Sequence, residues 1–163
     1  MSTEVEDFLW FAGTALDGMC GIVTELGDEL ANRRPDLPGA NSPYAILFHC
    51  LGVMEHWAGA LVAGREVQRD RAAEFTASGS VQALVACVEE AKRRLRSDAE
   101  TANLDGPLAG RPPTRYAPPG GEWTARAALT HVFEELAQHH GQMEIERDLL
   151  LREAQASSDR TNS

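Results

Sequence analysis

The sequence predicts an all-α fold, a four-helix bundle with crossover connections, on three observations. Apolar residues recur in steps of three and four along four long stretches. Proline and glycine collect between those stretches, leaving one short and two long connections where an up-down-up-down bundle needs only short turns. The composition is that of a folded helical chain, with 43% apolar and 25% charged residues and few aromatics.

The first helix follows from Val5, Leu9, Ala12, Leu16, Met19, Val23, Leu26 and Leu30, which form one face, and it ends before the breaker run Arg33 to Gly39. A second opens at Ser42-Pro43, a side-chain cap followed by proline at the first helical position, and runs to about Gly64. It carries two apolar stripes, Tyr44, Leu47, Leu51, Met54, Ala58 and Leu61 on one and Ile46, Val53, Trp57 and Ala60 on the other, with His49 on the second. A helix apolar nearly all round needs cover on both sides, which predicts a second subunit and hence a homodimer. Residues 65–78 read as a polar crossover, and Arg65, Arg69 and Arg71 among Glu66, Asp70 and Glu74 as a mixed solvated surface. A third helix spans about Ser80 to Asn103, with Val81, Leu84, Val88, Ala91 and Leu95 inward and the basic cluster Lys92, Arg93, Arg94 and Arg96 as a solvated end. Residues 104–122 are proline- and glycine-rich loop. Thr124 caps a fourth helix to about Leu151, with Val132, Leu136, His139, Met143 and Leu150 inward. Residues 1–152 are expected to form the bundle and 153–163 a flexible polar tail.

Charge and cysteines restrict the function. A net charge of −10 with Lys92 as the single lysine lacks the basic field that holds a phosphate backbone, which argues against nucleic acid. No apolar run is expected to reach the ~20 residues of a membrane span, and the start MSTEVEDFLW is acidic where a signal peptide is positive, so the expectation is a cytoplasmic protein with no membrane partner. Cys20, Cys50 and Cys87 have no CxxC spacing and read as reduced thiols.

All five histidines, His49, His56, His131, His139 and His140, fall on the second and fourth helices. Glu135 and His139 are four apart and project from one helix face about 6 Å apart along the axis, close enough to share one ion. Both point toward apolar surroundings, where an unpaired carboxylate or imidazole costs several kcal/mol. A metal completed by a histidine of the facing helix would satisfy them, with His49 as the better third ligand because Ile46 and Val53 mark a buried face. His131 competes, being four residues before Glu135, but a straight helix holds His131 and His139 about 12 Å apart. His56 lies about 10 Å along the helix from His49, His140 is turned away from His139, and Cys50 from His49. On spacing alone a second reading stands beside the metal: a hydrogen-bonded Glu135–His139 pair, and His49 as a core histidine with a backbone partner.

The run His139-His140-Gly141-Gln142 closing a helix that begins THVFEELAQ, with His49 in a helix opened by Asn41-Ser42-Pro43, resembles the DinB-like four-helix bundle superfamily, over nearly the whole chain from Phe8 to Leu150. Members usually carry three histidines, one on the second helix and an HxxxH on the last. Glu135 stands at the first position of that pair, a pattern similar to the mycothiol-dependent maleylpyruvate isomerase branch and to actinobacterial thiol S-transferases of the superfamily. The resemblance implies zinc or another divalent metal on His49, Glu135 and His139, and mycothiol as thiol cosubstrate. The isomerase has a further C-terminal domain where this sequence ends in a polar tail, so the expected activity is a stand-alone thiol S-transferase acting on a small electrophile. Three protein ligands leave a tetrahedral zinc one open position. Gln142 and Arg147 are the candidates to donate hydrogen bonds from behind the ligands. An arginine-rich, lysine-poor chain also fits a GC-rich actinobacterial source, where mycothiol is the abundant thiol. The alternatives are a metal-dependent hydrolase of the same superfamily and a non-catalytic dimeric metal-binding stress protein.

Overall fold

A computed structural model describes residues 2–113 and 121–161. The described chain is helical, with α1 (Thr3–Ala31), α2 (Pro43–Met54), a π-helical continuation of α2 (Glu55–Val62), a single-turn α3 (Arg71–Glu74), α4 (Val81–Glu100) and α5 (Ala125–Thr161). Pro107 and Thr124 form an isolated β-bridge, and no strand occurs among the described residues. Residues 114–120, in the expected loop, lie outside the described residues.

The caps read from the sequence form. Ser42 accepts a hydrogen bond from the Ala45 amide at 3.2 Å, and Thr124 one from the Ala127 amide at 3.2 Å. α1 packs against α5, α4 and α2, and α2 packs against both α4 and α5. Around the core the order is therefore α1, α5, α2, α4, so that helices consecutive in the chain sit across the bundle or need a long path to reach their places. Leu16, Met19, Leu47, Val88, Val132, Leu136 and Met143 fill the centre, and every one is fully buried.

Three elements depart from the expected ones. Gly27 has φ 65° and ψ 178° inside α1, a left-handed excursion that glycine adopts without a Cβ penalty, and the last turn of α1 is bent there. The bent end is used: Asp28 Oδ1 accepts the Val81 amide at 2.7 Å, and the Asn32 side chain exchanges two hydrogen bonds with the Gly79 backbone, so the end of α1 holds the start of α4. Beyond Met54 the hydrogen bonding widens, with the Ala63 amide reaching Ala58 O at 2.9 Å. At the other end of the chain, the residues expected to fray continue α5 to Thr161. Glu153 accepts the Asp36 amide at 2.9 Å and lies 3.5 Å from Arg33.

Both stripes of α2 are covered within the chain, since Ile46, Val53 and Trp57 are as buried as Leu47 and Met54. The face from which a second subunit was expected is thus closed, and that reason for a dimer is gone. Pro43–Val62 is also long and apolar enough by composition to cross a bilayer, contrary to the expectation from the sequence, and its apolarity has a packing explanation because most of it is buried inside the bundle.

The crossover is not a wholly solvated surface. Arg65 donates from Nε and Nη2 to the two oxygens of Asp98 on α4, both at 2.9 Å, and pairs with Glu55 at 2.8 Å. Asp98 is buried, and Arg65 is a third exposed. Breaking a pair that leaves one charge buried is the costly direction. Arg65→Met is expected to destabilise the fold by about 2 kcal/mol. Arg65→Met combined with Asp98→Leu should lose less than the single change, as read from urea unfolding midpoints.

Candidate metal centre

His49, Glu135 and His139 come together where α2 faces α5. One nitrogen or oxygen from each lies within 4.8 Å of the other two. Glu135 Oε2 sits between the imidazoles, 3.5 Å from His139 Nε2 and 3.9 Å from His49 Nε2. The two rings are 5.1 Å apart at 88°, edge to face. Metal bonds of about 2.0–2.1 Å at tetrahedral angles separate neighbouring donor atoms by about 3.3–3.4 Å. The donor set of two imidazoles and a carboxylate suits zinc or another first-row divalent ion, and its spacing needs only small rotations to meet that edge.

Each imidazole is held from behind. His49 is 3% exposed, and its Nδ1 donates to Glu74 Oε2 at 2.6 Å, which leaves its Nε2 directed at Glu135. The partner of His49 is therefore a carboxylate, not the backbone group that a plain core histidine would take. Glu74, also 3% exposed, receives Arg69 Nε at 2.6 Å and Nη2 at 3.0 Å, and Phe75 stacks on the His49 ring at 4.7 Å. Burial pushes the Glu74 carboxyl upward, but the hydrogen bonds from Arg69 and His49 outweigh it and hold it below its ordinary range. The short helix α3 delivers this acid, capped by Asp70, whose Oδ1 accepts the Ala72 and Ala73 amides at 3.1 Å. Gly52, one turn after His49, makes room: a Cβ there would stand 2.1 Å from Glu74 Oε1.

His139 Nδ1 donates to Gln142 Oε1 at 3.0 Å, and Gln142 Nε2 donates to Glu146 Oε1 at 2.9 Å. Gln142 thus lies behind a candidate ligand, as an acceptor toward His139 and not as the donor expected. The imidazoles of His139 and then His49 hold the Glu135 carboxyl well below its usual range, and Glu135 in turn raises His139. Burial raises Glu146 to about 7.

The remaining candidates lie outside the three-donor cluster, His131 directly beside it. His131 turns its Nε2 to the other oxygen of Glu135 at 3.4 Å, its Nδ1 to Glu134 at 2.8 Å, and packs against Trp57 with ring centres 4.5 Å apart. His56 packs edge-on to Trp57, and His140 against Gly18 of α1. Arg147 pairs with Asp148 and lies 4.0 Å from Glu25, so its charge is taken up on the α1–α5 surface. Cys50 Sγ faces Met19 Sδ at 3.9 Å, with its thiol pushed up by burial. Glu74, Arg69 and Gly52 carry no signal in the helical periodicity. The only sequence hint is a small residue placed one turn after a candidate ligand on an otherwise large-residue helix.

No curated protein matches the chain. A model of the Mycothiol-S-transferase family matches residues 9–151, which takes in α2, the crossover and the part of α5 that carries Glu135 to Glu146. With that match spanning the bundle and the candidate centre, the chain belongs to the DinB-like family of mycothiol S-transferases.

Proposed function

We propose that the chain binds one zinc ion through His49 Nε2, Glu135 Oε2 and His139 Nε2 and transfers mycothiol to a small electrophile. The observation that carries the reading is the convergence of these three donor atoms within 4.8 Å, with both imidazoles backed at Nδ1 so that their Nε2 atoms face inward. Bound there, zinc would supply the positive charge that lowers the pKa of a thiol into the neutral range and leave a position open for it.

The chain's own residues do the rest. Glu74, fixed by Arg69, sets the tautomer and ring direction of His49, and its negative charge makes that imidazole a stronger donor. Phe75 covers one face of the ring and shields it from water. The Glu135 oxygen not aimed at the imidazole pair is turned toward His131, which favours a single carboxylate oxygen at the centre. No cysteine is placed to attack: Cys50 faces Met19, the Cys20 thiol is raised to about 11 by burial on α1, and Cys87 is exposed on α4. The reacting sulfur therefore comes from the cosubstrate.

Purified protein is expected to carry about one zinc per chain by elemental analysis. His49→Ala, Glu135→Ala and His139→Ala should each remove most of it, whereas His56→Ala and His140→Ala should retain it. Retention by His139→Ala with loss by His131→Ala would reassign the ligands. Gly52→Ala tests the backing of His49 without touching a ligand. Displacement of Glu74 should weaken zinc by about tenfold to a hundredfold in chelator competition.

For the reaction, zinc-loaded protein is supplied with monochlorobimane, with and without mycothiol, and conjugate formation is followed by fluorescence. A large rate increase over the uncatalysed reaction is expected only with mycothiol and zinc together, and His49→Ala should abolish it. Turnover of an electrophile at equal rates with and without thiol would favour the hydrolase reading instead.

A further inference from the structure

With both stripes of α2 covered, a second subunit needs another face, and the exposed aromatic side chains lie on one. Trp10 is 65% and Phe11 47% exposed, with ring centres 4.7 Å apart, and Phe11 continues to Phe133 of α5 at 5.6 Å. Large aromatics gathered at one place, and not scattered singly, mark an interaction surface.

This face has a regular construction. α1 and α5 run side by side in the same direction, and the residues that meet along their outer seam recur every seven positions on both helices. Glu4 meets Arg126 at 2.7 Å, Phe11 meets Phe133, the His140 ring lies where residue 18 would carry a Cβ, and Glu25 lies 4.0 Å from Arg147. The heptad spacing stacks these four layers over about 31 Å at ~1.5 Å per residue. Beyond the aromatic layer the surface is low: a Cβ at Gly21 or Gly141 would meet no atom of the described residues within 4 Å.

The seam matches a copy of itself. Turned about a two-fold axis parallel to the helices, a second copy sets its α5 over this α1 and its α1 over this α5 in the same register. Every layer then faces its complement: glutamate over arginine at both ends, phenylalanine over phenylalanine, histidine over glycine. An antiparallel copy would instead set glutamate over glutamate and arginine over arginine, which a chain of net charge −10 has no means to offset. Two adjacent helices, each about 10 Å wide, give a footprint of about 600 Å² over this length. Two such footprints, about 1,200 Å² together, reach the lower end of specific interfaces.

We propose that the outer α1–α5 seam is the interface of a parallel two-fold homodimer, in which Trp10 and Phe11 of each copy close against Phe133 of the other. No residue of the seam is a candidate ligand, so the interface is independent of the metal reading.

Light scattering on the full chain at micromolar concentration and physiological salt is expected to give twice the 17.7 kDa of one chain. Trp10→Lys should raise the dissociation constant at least about tenfold while the far-UV circular dichroism stays unchanged, because the side chain is mostly in solvent within one copy. Trp10→Ser carries the same measurement if the lysine variant fails to fold. Glu25→Arg and Arg147→Glu, each alone, place like charges across the seam and should each weaken self-association. An equimolar mixture of those two variants should form a heterodimer tighter than either variant with itself, because each then faces the opposite charge at both crossings. An effect confined to one chain would not be rescued by mixing. A monomeric unaltered chain, or a dimer whose dissociation constant neither Trp10 variant moves, overturns the proposal. A mixture that associates no better than the separate variants overturns the parallel register and the interface with it.

Discussion

The arrangement depends on a partly buried carboxylate. Glu135, half-buried between α2 and α5, is placed between imidazoles where an unpartnered charge would be costly. The surrounding structure answers that cost outward in steps. Glu135 is met by His49 and His139 on one oxygen and by His131 on the other, and each imidazole is met in turn by Glu74, Gln142 and Glu134. Glu74 is then met by Arg69, whose side chain is mostly buried. The network accumulates negative charge around the donor atoms, which is the electrostatic condition under which a divalent cation is favoured over empty space or a second proton.

The fold makes this network possible by the order of its helices. Because α2 lies between α4 and α5, its second stripe, including His49, faces α5 while its flank is open to the crossover that returns toward α4. That flank is where α3 inserts Glu74. The crossover itself is pinned at both ends, by Arg65 on Asp98 and by the Asn32–Gly79 pair at the bend of α1. A segment held this way can position a carboxylate to hydrogen-bond precision even though it contains one turn of helix and little apolar surface.

Most of the scaffold was legible in the sequence because it is written in periodicity. The stripes of α1, α4 and α5, the Ser42-Pro43 cap and the Glu135–His139 spacing are all local patterns, and they fold as the patterns require. What was not legible is non-local. Glu74 is one acid among several in a polar stretch, and nothing within that stretch says that His49, 25 residues away, will be its partner. The cover of α2 is non-local too: a sequence shows how much cover a helix needs but not that α1, α4 and α5 can supply it within one chain. The polar segment from Glu153 was expected to fray on composition, and the tether of Glu153 to Asp36 and Arg33 again joins residues over a hundred positions apart.

Two positions break rules that the rest of the chain obeys, and both lead to the same place. Gly52 interrupts a helix of large apolar residues, where glycine is less favourable than alanine by about 0.5–1 kcal/mol. Glu146 buries a carboxyl oxygen without a partner on a face that is otherwise aliphatic. Neither is explained by helix propensity or by apolar packing, since alanine is the better helix former at 52 and an aliphatic chain would suit the apolar surroundings of 146. Each is explained by the back of an imidazole. Gly52 admits the carboxylate that holds His49 Nδ1, and Glu146 accepts a hydrogen bond from the amide that holds His139 Nδ1. Local inconsistencies that converge on one constellation from opposite helices are what functional constraint leaves in a sequence, and here they point at the two nitrogens whose inward lone pairs the proposed chemistry requires.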